Sequence, residues 1–162
     1  MGSRKAFVAG VLGFIALLGV LPAASQEKPS DTMQIVLEKI RTDKKLLVAE
    51  NMQLSEAEAK AFWPVYQQYQ DELFLLRKRT AKLIQDYADT YANMSDEAAK
   101  KLLDELLSIE EAGLKLRQAY LPKFRQALPE VKVARYFQIE NKIQAALYYG
   151  LAAEIPLIKS GK

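Results

Sequence analysis

The sequence contains no cysteine and no histidine among its 162 residues. The lack of cysteine excludes a disulfide framework, a thiolate nucleophile and a zinc site with cysteine ligands. The lack of histidine excludes a Ser-His-Asp triad, histidine-ligated metals and a histidine pH switch. The sequence also has no phosphate-binding loop of the Gly-x-x-x-x-Gly-Lys kind. We therefore expect a protein that is not an enzyme and that uses no cofactor.

Glycine is scarce after residue 25, where it occurs only at positions 113, 150 and 161. This part of the chain has no Asn-Gly or Asp-Gly hairpin signal and no alternating β-branched run. It is rich in Ala, Leu, Glu, Lys, Gln and Arg, which are strong helix formers. The composition therefore predicts an all-α protein.

The first 25 residues have the pattern of a secretory signal peptide. Arg4 and Lys5 form its positive region, residues 6–21 form its apolar segment, and Ala23 and Ser25 are small residues before the cleavage site. The apolar segment is shorter than the roughly 20 residues that a spanning helix needs; an uncleaved anchor is the alternative. We expect cleavage before Gln26 and a location in the bacterial periplasm.

The formal net charge of +3 comes mostly from this signal. Without Arg4 and Lys5, 21 of the 23 basic residues remain against 20 acidic residues, which gives a net charge of +1. A nearly neutral chain does not favour nucleic-acid binding, which uses clustered positive charge. We expect membrane contact only through the export signal.

The mature sequence divides into three parts. We interpret residues 26–31 as a disordered leader, residues 32–155 as an all-helical domain and residues 156–162 as a C-terminal tail. The first helix is predicted over residues 32–49, and a charged stretch at residues 41–45 is a candidate interruption.

The second helix has the clearest start signal. Ser55 and Glu58 form a capping box, preceded by the apolar residue Leu54. Apolar residues then follow heptad spacing from Phe62 to Tyr87, which predicts a helix to about residue 92. A short turn leads to a third helix over residues 95–128, and a fourth helix begins near Pro129 and ends before Pro156, with Gly150 as a candidate C-cap.

A tight turn makes the two long helices antiparallel neighbours, each about 50 Å long. In the predicted register, the numbers of facing residues add up to about 187, as a helical hairpin centred on its turn requires. Gly113 then lies opposite Leu73 and Phe74, and Pro64 lies opposite Pro122. Because each proline bends its helix, we expect a long curved antiparallel hairpin with the first and fourth helices packed on its open end.

An aromatic cluster follows the capping box and comprises Phe62, Trp63, Tyr66 and Tyr69. One interpretation is an exposed apolar surface that binds unfolded or extended polypeptide. The alternative is an ordinary core seam, which the heptad spacing favours. Trp63 lies off that seam and is the better candidate for a surface residue.

A basic run comprises Arg77, Lys78, Arg79 and Lys82. These residues form either interhelical ion pairs and a solvated face or a basic surface that steers acidic or unfolded clients. In the predicted register they face acidic residues of the third helix: Asp104, Glu105, Glu110 and Glu111.

Acidic residues offer two further possibilities. The pairs at residues 104–105 and 110–111 are candidate ligands for a hard cation. Glu140 lies among apolar residues, and we interpret it as part of a half-buried structural network with Arg135.

These features together resemble the periplasmic Spy/CpxP-like family. The resemblance rests on the signal peptide, the helical hairpin and Leu54-Ser55-x-x-Glu58, which is similar to the family's Leu-Thr-x-x-Gln motif at helix starts. Residues 128–132 are similar to a second, weaker copy, in which Pro129 replaces the motif threonine and Lys132 replaces the motif glutamine. The resemblance implies a helical, cradle-shaped homodimer with ATP-independent chaperone activity or an adaptor role in envelope stress.

We therefore predict a periplasmic, non-enzymatic protein that binds unfolded or extended polypeptide. The candidate binding surface combines the aromatic cluster with the basic run. Two alternatives remain open, a structural or signalling partner of a specific envelope sensor or transport complex and a metal binder that uses carboxylates alone.

Overall fold

The computed structural model of the protein describes residues 29–158, with side chains from Ile40 onward. This part of the chain forms four α-helices and no strand, so the prediction of an all-α fold is confirmed. The predicted signal peptide and its predicted cleavage site lie outside the described residues. The helices are α1 (Pro29–Met52), α2 (Glu56–Thr90), α3 (Asp96–Ala127) and α4 (Glu130–Glu154), with a short 3-10 helix, Tyr91–Asn93, between α2 and α3.

The helix starts follow the capping signals closely. Ser55 accepts a hydrogen bond from the amide of Glu58, whose carboxylate in turn accepts one from the amide of Ser55. The Ser95 side chain caps α3 by accepting a hydrogen bond from the amide of Ala98. Each cap of this kind stabilises a helix by about 1 kcal/mol. Pro129 stands at the N-cap position of α4 and not inside its first turn.

Three expectations about helix limits are wrong. Helix α1 begins at Pro29, so residues 29–31 of the predicted disordered leader are helical. The charged residues 41–45 do not interrupt α1, which continues to Met52. Arg41 and Lys44 bond to side chains of α2, and Lys45 is exposed to solvent. Gly150 lies inside α4 and is buried, so it is not the C-cap.

Helices α2 and α3 form the predicted antiparallel hairpin. The rings of Phe62 and Phe124 and those of Tyr69 and Tyr120 meet across it, with centroid distances of 5.8 and 5.4 Å. Nearer the turn, Arg79 pairs with Glu105. The residue numbers of these pairs add up to 186, 189 and 184, within one helical turn of the predicted register.

The other two helices, α1 and α4, run in opposite directions to each other. Arg41 and Lys44 of α1 bond to Asp71 and Gln70 of α2, so α1 runs antiparallel to α2. Helix α4 runs parallel to α2 and reaches the turn end, where the hydroxyl of Tyr87 donates to the carbonyl of Pro156 at 2.6 Å. The sequence-based expectation that the fourth helix packs only on the open end of the hairpin is therefore wrong.

Two features were expected along the hairpin, paired prolines that bend it and a glycine that faces large side chains. Pro64 and Pro122 both lie inside continuous helices at the same level; the curvature expected there stays a prediction. A Cβ atom added to Gly113 would meet nothing within 4 Å. Gly113 thus lies at the level of Leu73 and Phe74 in the observed register, but no side chain packs against the position of its Cβ atom.

The core lies at the open end of the hairpin, where all four helices meet. Aromatic rings dominate it, and ring pairs of this kind contribute about 0.5–1.5 kcal/mol beyond their area burial. Its buried members are Val48, Met52, Phe62, Tyr66, Tyr69, Leu116, Tyr120, Phe124, Leu128, Val133 and Tyr136.

Candidate functional site

The aromatic cluster of α2 belongs mainly to this core. Phe62, Tyr66 and Tyr69 are between 0 and 3% exposed. Trp63 is half-buried and meets the rings of Phe62 and Tyr66 edge-on at 5.1 and 5.2 Å. On its other side, the ammonium of Lys45 lies 5.6 Å from the Trp63 ring. The core interpretation of the cluster is therefore the one that the structure shows, and Trp63 is partly covered by α1.

The basic run does not form one free positive surface. Arg79 donates two hydrogen bonds to Glu105, at 3.0 and 3.1 Å, so one member of the run contacts an acidic residue of the facing helix as expected. Lys82 pairs instead with Asp86 one turn along its own helix, at 2.6 Å. Arg77 lies over the ring of Tyr148, and Lys78 lies over the ring of Phe74.

The predicted acidic partners are also largely used elsewhere. Asp104 pairs with Lys100 and Glu111 with Lys115, in each case four residues apart on α3. Within the described residues, no three acidic side chains come together as metal ligands would. The residue pairs 104–105 and 110–111 thus lie on a solvated, ion-paired helix face.

The helix-start motif joins two helices. The carboxylate of Glu58 lies 2.5 Å from the ammonium of Lys132, which also donates to the carbonyl of Gln53 at 3.2 Å. The hydrogen bond from Lys132, followed by that from the Ser55 amide, lowers the pKa of Glu58 to about 2. Leu54 packs against the core. The last residues of the two motif-like segments, at positions 58 and 132, therefore form an ion pair that ties the start of α2 to the start of α4.

A buried polar network around Glu140, whose other members the sequence analysis did not predict, joins α1, α2 and α4. The ammonium of Lys44 lies 2.6 Å from a carboxylate oxygen of Glu140 and donates to the amide oxygen of Gln70 at 3.0 Å. The Gln70 amide donates in turn to Glu140 at 3.0 Å and to the hydroxyl of Tyr136 at 3.2 Å. Lys44, Gln70 and Glu140 are each at most 7% exposed. We call the network the polar latch; its members are Lys44, Gln70, Tyr136 and Glu140.

The expected pair of Glu140 with Arg135 is wrong. Arg135 is exposed and donates to the main-chain carbonyl of Asn51 at 2.6 Å. The carboxylate of Glu140 lies instead between α4 and the helices α1 and α2, where it pairs with Lys44. The apolar neighbours of Glu140 in sequence signalled its burial but not its partner.

Burial governs the protonation of the latch. It lowers the pKa of the Lys44 ammonium, an effect that the nearby Glu140 carboxylate opposes and that Arg77 and Arg117 reinforce. Burial also raises the pKa of Tyr136 well above its usual range, and the Glu140 charge adds to this effect. Because its ionisable groups bond to one another inside the protein, the latch fixes the position of α1 on the other helices.

An exposed apolar surface lies on α3 towards the turn. Leu103, Leu107 and Leu114 are between 54 and 56% exposed, and Leu106 is 40% exposed. Successive helical residues are rotated by about 100°, so these four leucines share one side of α3, away from the buried Ile109. We call them the leucine face.

The buried side of α3 lies next to the leucine face. Ile109, Leu116 and Tyr120 are buried, whereas Leu106 is partly exposed. The sequence signal for this surface is a pair of leucine doublets at positions 102–103 and 106–107. Neighbouring residues of a helix are rotated by about 100°, and in α3 the second leucine of each doublet is the more exposed one.

Comparison of the chain with models of protein families, with curated proteins and with solved structures finds no match. None of the helices in residues 29–158 has the length and apolar content needed to cross a membrane.

Proposed function

We propose that this protein is exported to the periplasm and binds unfolded or extended polypeptides there, as a chaperone that needs no nucleotide. The observation that carries the proposal is the leucine face. Four leucines, three of them more than half exposed, lie on one side of a helix that is otherwise rich in charge, with Glu110 between Leu107 and Leu114. Exposed apolar patches of this kind mark interaction sites.

The composition of the leucine face suits loose binding of many sequences. Leucine side chains give apolar contact without directional hydrogen bonds. Charged pairs border the leucines, including Lys100 with Asp104 and Lys115 with Glu111. An apolar segment of a client can therefore bind to the leucines while its flanking polar groups stay in water.

The proposed binding surface is the leucine face and not the aromatic cluster that the sequence suggested. Phe62, Tyr66 and Tyr69 are buried, so a client reaches them only if helices separate. The leucine face is accessible without such a change. The resemblance to Spy/CpxP-like proteins supports the same function from the sequence.

The first test measures aggregation of a heat-denatured client such as citrate synthase by light scattering. We expect the mature chain, in several-fold molar excess and without ATP, to suppress aggregation. The triple variant Leu103→Gln, Leu107→Gln, Leu114→Gln should lose most of this effect. Leu75→Gln is the matched control, because Leu75 is equally exposed but lies on α2. No suppression by the wild type, or equal suppression by the triple variant, contradicts the proposal.

A second test separates general polypeptide binding from a dedicated role in one envelope complex. A photo-crosslinking amino acid at position 107 probes the leucine face in intact cells. Many crosslinked partners support the chaperone proposal, whereas one stoichiometric partner supports the structural or signalling alternative. The same cells test export, since the mature protein should be recovered from the periplasm with Gln26 at its N-terminus.

A further inference from the structure

A groove of about 270 Å³ lies between α1 and α4. Its apolar lining comes from Leu47 on α1 and from Ile139 and Ile143 on α4. The two isoleucines are four residues apart and therefore neighbours on one face of α4. Leu47 is 45% exposed even though it faces this apolar surface. The groove thus presents apolar side chains from both helices to solvent.

The polar lining of the groove carries positive charge. Arg135 and Lys142 line it together with the amide side chains of Asn51 and Gln138, and no carboxylate is among its lining residues in the described chain. Arg135 and Lys142 are seven residues apart, which places them two turns apart on the same side of α4.

The two cations are differently held. The Nε of Arg135 donates to the carbonyl of Asn51, which fixes the guanidinium beside the groove. Lys142 is exposed and forms no ion pair with any residue of the described chain. The nearest buried carboxylate on α4, that of Glu140, is already paired with Lys44. The groove therefore combines an apolar wall with cationic groups that have no acidic partner.

We propose that this groove binds a single-chain amphiphile with an anionic head group, of the class of medium-chain fatty acids. The apolar chain lies against Leu47, Ile139 and Ile143, and the carboxylate lies near the Lys142 ammonium. Ligand pockets have volumes of about 300–1,000 Å³. The groove is slightly smaller than this range, so it accommodates one short chain and excludes a two-chain lipid.

The first experiment varies the head-group charge on a constant chain. Octanoate, octyl glucoside and octyltrimethylammonium are titrated into the mature protein by calorimetry, each below its micelle concentration. We expect octanoate to saturate one site per chain and to bind about tenfold more tightly than octyl glucoside, the ratio that one charge-assisted contact provides. Octyltrimethylammonium should not bind. Equal affinity of the three amphiphiles, or no binding of octanoate, overturns the proposal.

The second experiment places the site. Lys142→Gln should weaken octanoate binding about tenfold, and Leu47→Gln should weaken it through the loss of apolar contact. Lys60→Gln is the matched control, since Lys60 is an exposed cation on α2 outside the groove. Because Lys142 is exposed, its substitution should leave the fold intact, as circular dichroism will check. Unchanged octanoate affinity in Lys142→Gln overturns the assignment.

The inference stands independently of the proposed chaperone function. The groove lies between α1 and α4, whereas the leucine face lies on α3. The Leu103→Gln, Leu107→Gln, Leu114→Gln variant should therefore bind octanoate with the wild-type affinity. If this variant loses octanoate binding while it stays folded, the amphiphile binds at the leucine face and the groove assignment is wrong.

Discussion

The ammonium of Lys44 on α1 lies 2.6 Å from a carboxylate oxygen of Glu140 on α4, and both side chains are almost fully buried. A buried ion pair adds little stability relative to apolar residues of the same volume, because both charges have lost their hydration. Removal of one partner is a different matter, since it leaves the other charge buried alone. The pair therefore specifies where α1 docks more than it strengthens the fold.

The first prediction concerns this asymmetry. Glu140→Leu should lower the free energy of unfolding by about 3–5 kcal/mol, because the Lys44 ammonium stays buried without its partner. The double variant Lys44→Met, Glu140→Leu should recover part of this loss, although the Gln70 amide then bonds only to Tyr136. Urea denaturation monitored by circular dichroism measures both values.

A matched control for the latch is the exposed pair of Arg79 and Glu105. Arg79→Met should lower the unfolding free energy by only about 0–1 kcal/mol, as solvent-exposed pairs do. A double latch variant that is less stable than Glu140→Leu alone would show that the pair contributes net stability and would refute the specificity interpretation.

The second prediction concerns alkaline pH. Burial raises the pKa values of Tyr66, Tyr69 and Tyr136 above their usual 10, and burial together with Glu72 raises that of Tyr120 to about 12. The unfolded chain therefore loses these protons first, so the stability they contribute is complete below pH 10 and is lost as the pH rises above it. We expect cooperative alkaline unfolding, measured by far-UV circular dichroism.

A variant identifies the source of that transition. Tyr136→Phe removes one of the ionising groups, so the unfolding free energy should fall less steeply with pH above 10. Lys44 acts in the opposite sense, because burial lowers its pKa and the unfolded chain holds its proton longer. A slope in Tyr136→Phe equal to that of the wild type contradicts the assignment.

The third prediction concerns acid pH and the helix-start motif. The pKa of Glu58 is about 2 in the folded protein, against an ordinary value of 4.5. Its contribution to stability is therefore present above pH 4.5 and is lost as the pH falls towards 2. Glu58→Gln should flatten the pH dependence of the unfolding free energy in this window.

Glu56→Gln serves as the control for that experiment. Glu56 also lies in the first turn of α2 but forms no ion pair with Lys132 in the described chain. Its substitution should leave the acid slope close to that of the wild type. A flattened slope in Glu56→Gln but not in Glu58→Gln is incompatible with the role given to the Glu58–Lys132 pair.

The fourth prediction concerns Gly113. Open space surrounds this glycine, so Gly113→Ala should stabilise α3 by about 0.5–1 kcal/mol through the lower entropy of the unfolded chain. Ala119→Gly, at an exposed position of the same helix, should destabilise by a similar amount. Destabilisation by Gly113→Ala, seen in urea denaturation, would indicate that a side chain closes on this position after all.

Features that depend on local sequence could be predicted here. The cap at Ser55 acts within one helical turn, and the seam through Phe62, Tyr66 and Tyr69 repeats with the heptad period of α2. The register of the hairpin follows from its short turn, which is why the basic run was expected to face acidic residues of α3, as Arg79 does with Glu105.

Features that depend on how α1 docks could not be predicted. Lys44 and Glu140 are 96 positions apart in sequence, and no local pattern links them. A lysine on a polar helix is ordinarily solvated, so its burial follows only from the position of α1 against α2 and α4. The leucine face was missed for a related reason, since its exposure depends on which sides of α3 the other helices cover.

Trp63 has a practical consequence, because it is the single tryptophan of the chain. Its ring contacts Phe62 and Tyr66 of the core on one side and lies near Lys45 of α1 on the other. Undocking of α1 removes the cation and admits water to the indole while α2 remains helical. The fluorescence emission of the unlabelled protein should therefore shift to longer wavelength when α1 leaves, and it gives a direct optical signal for each variant of the polar latch.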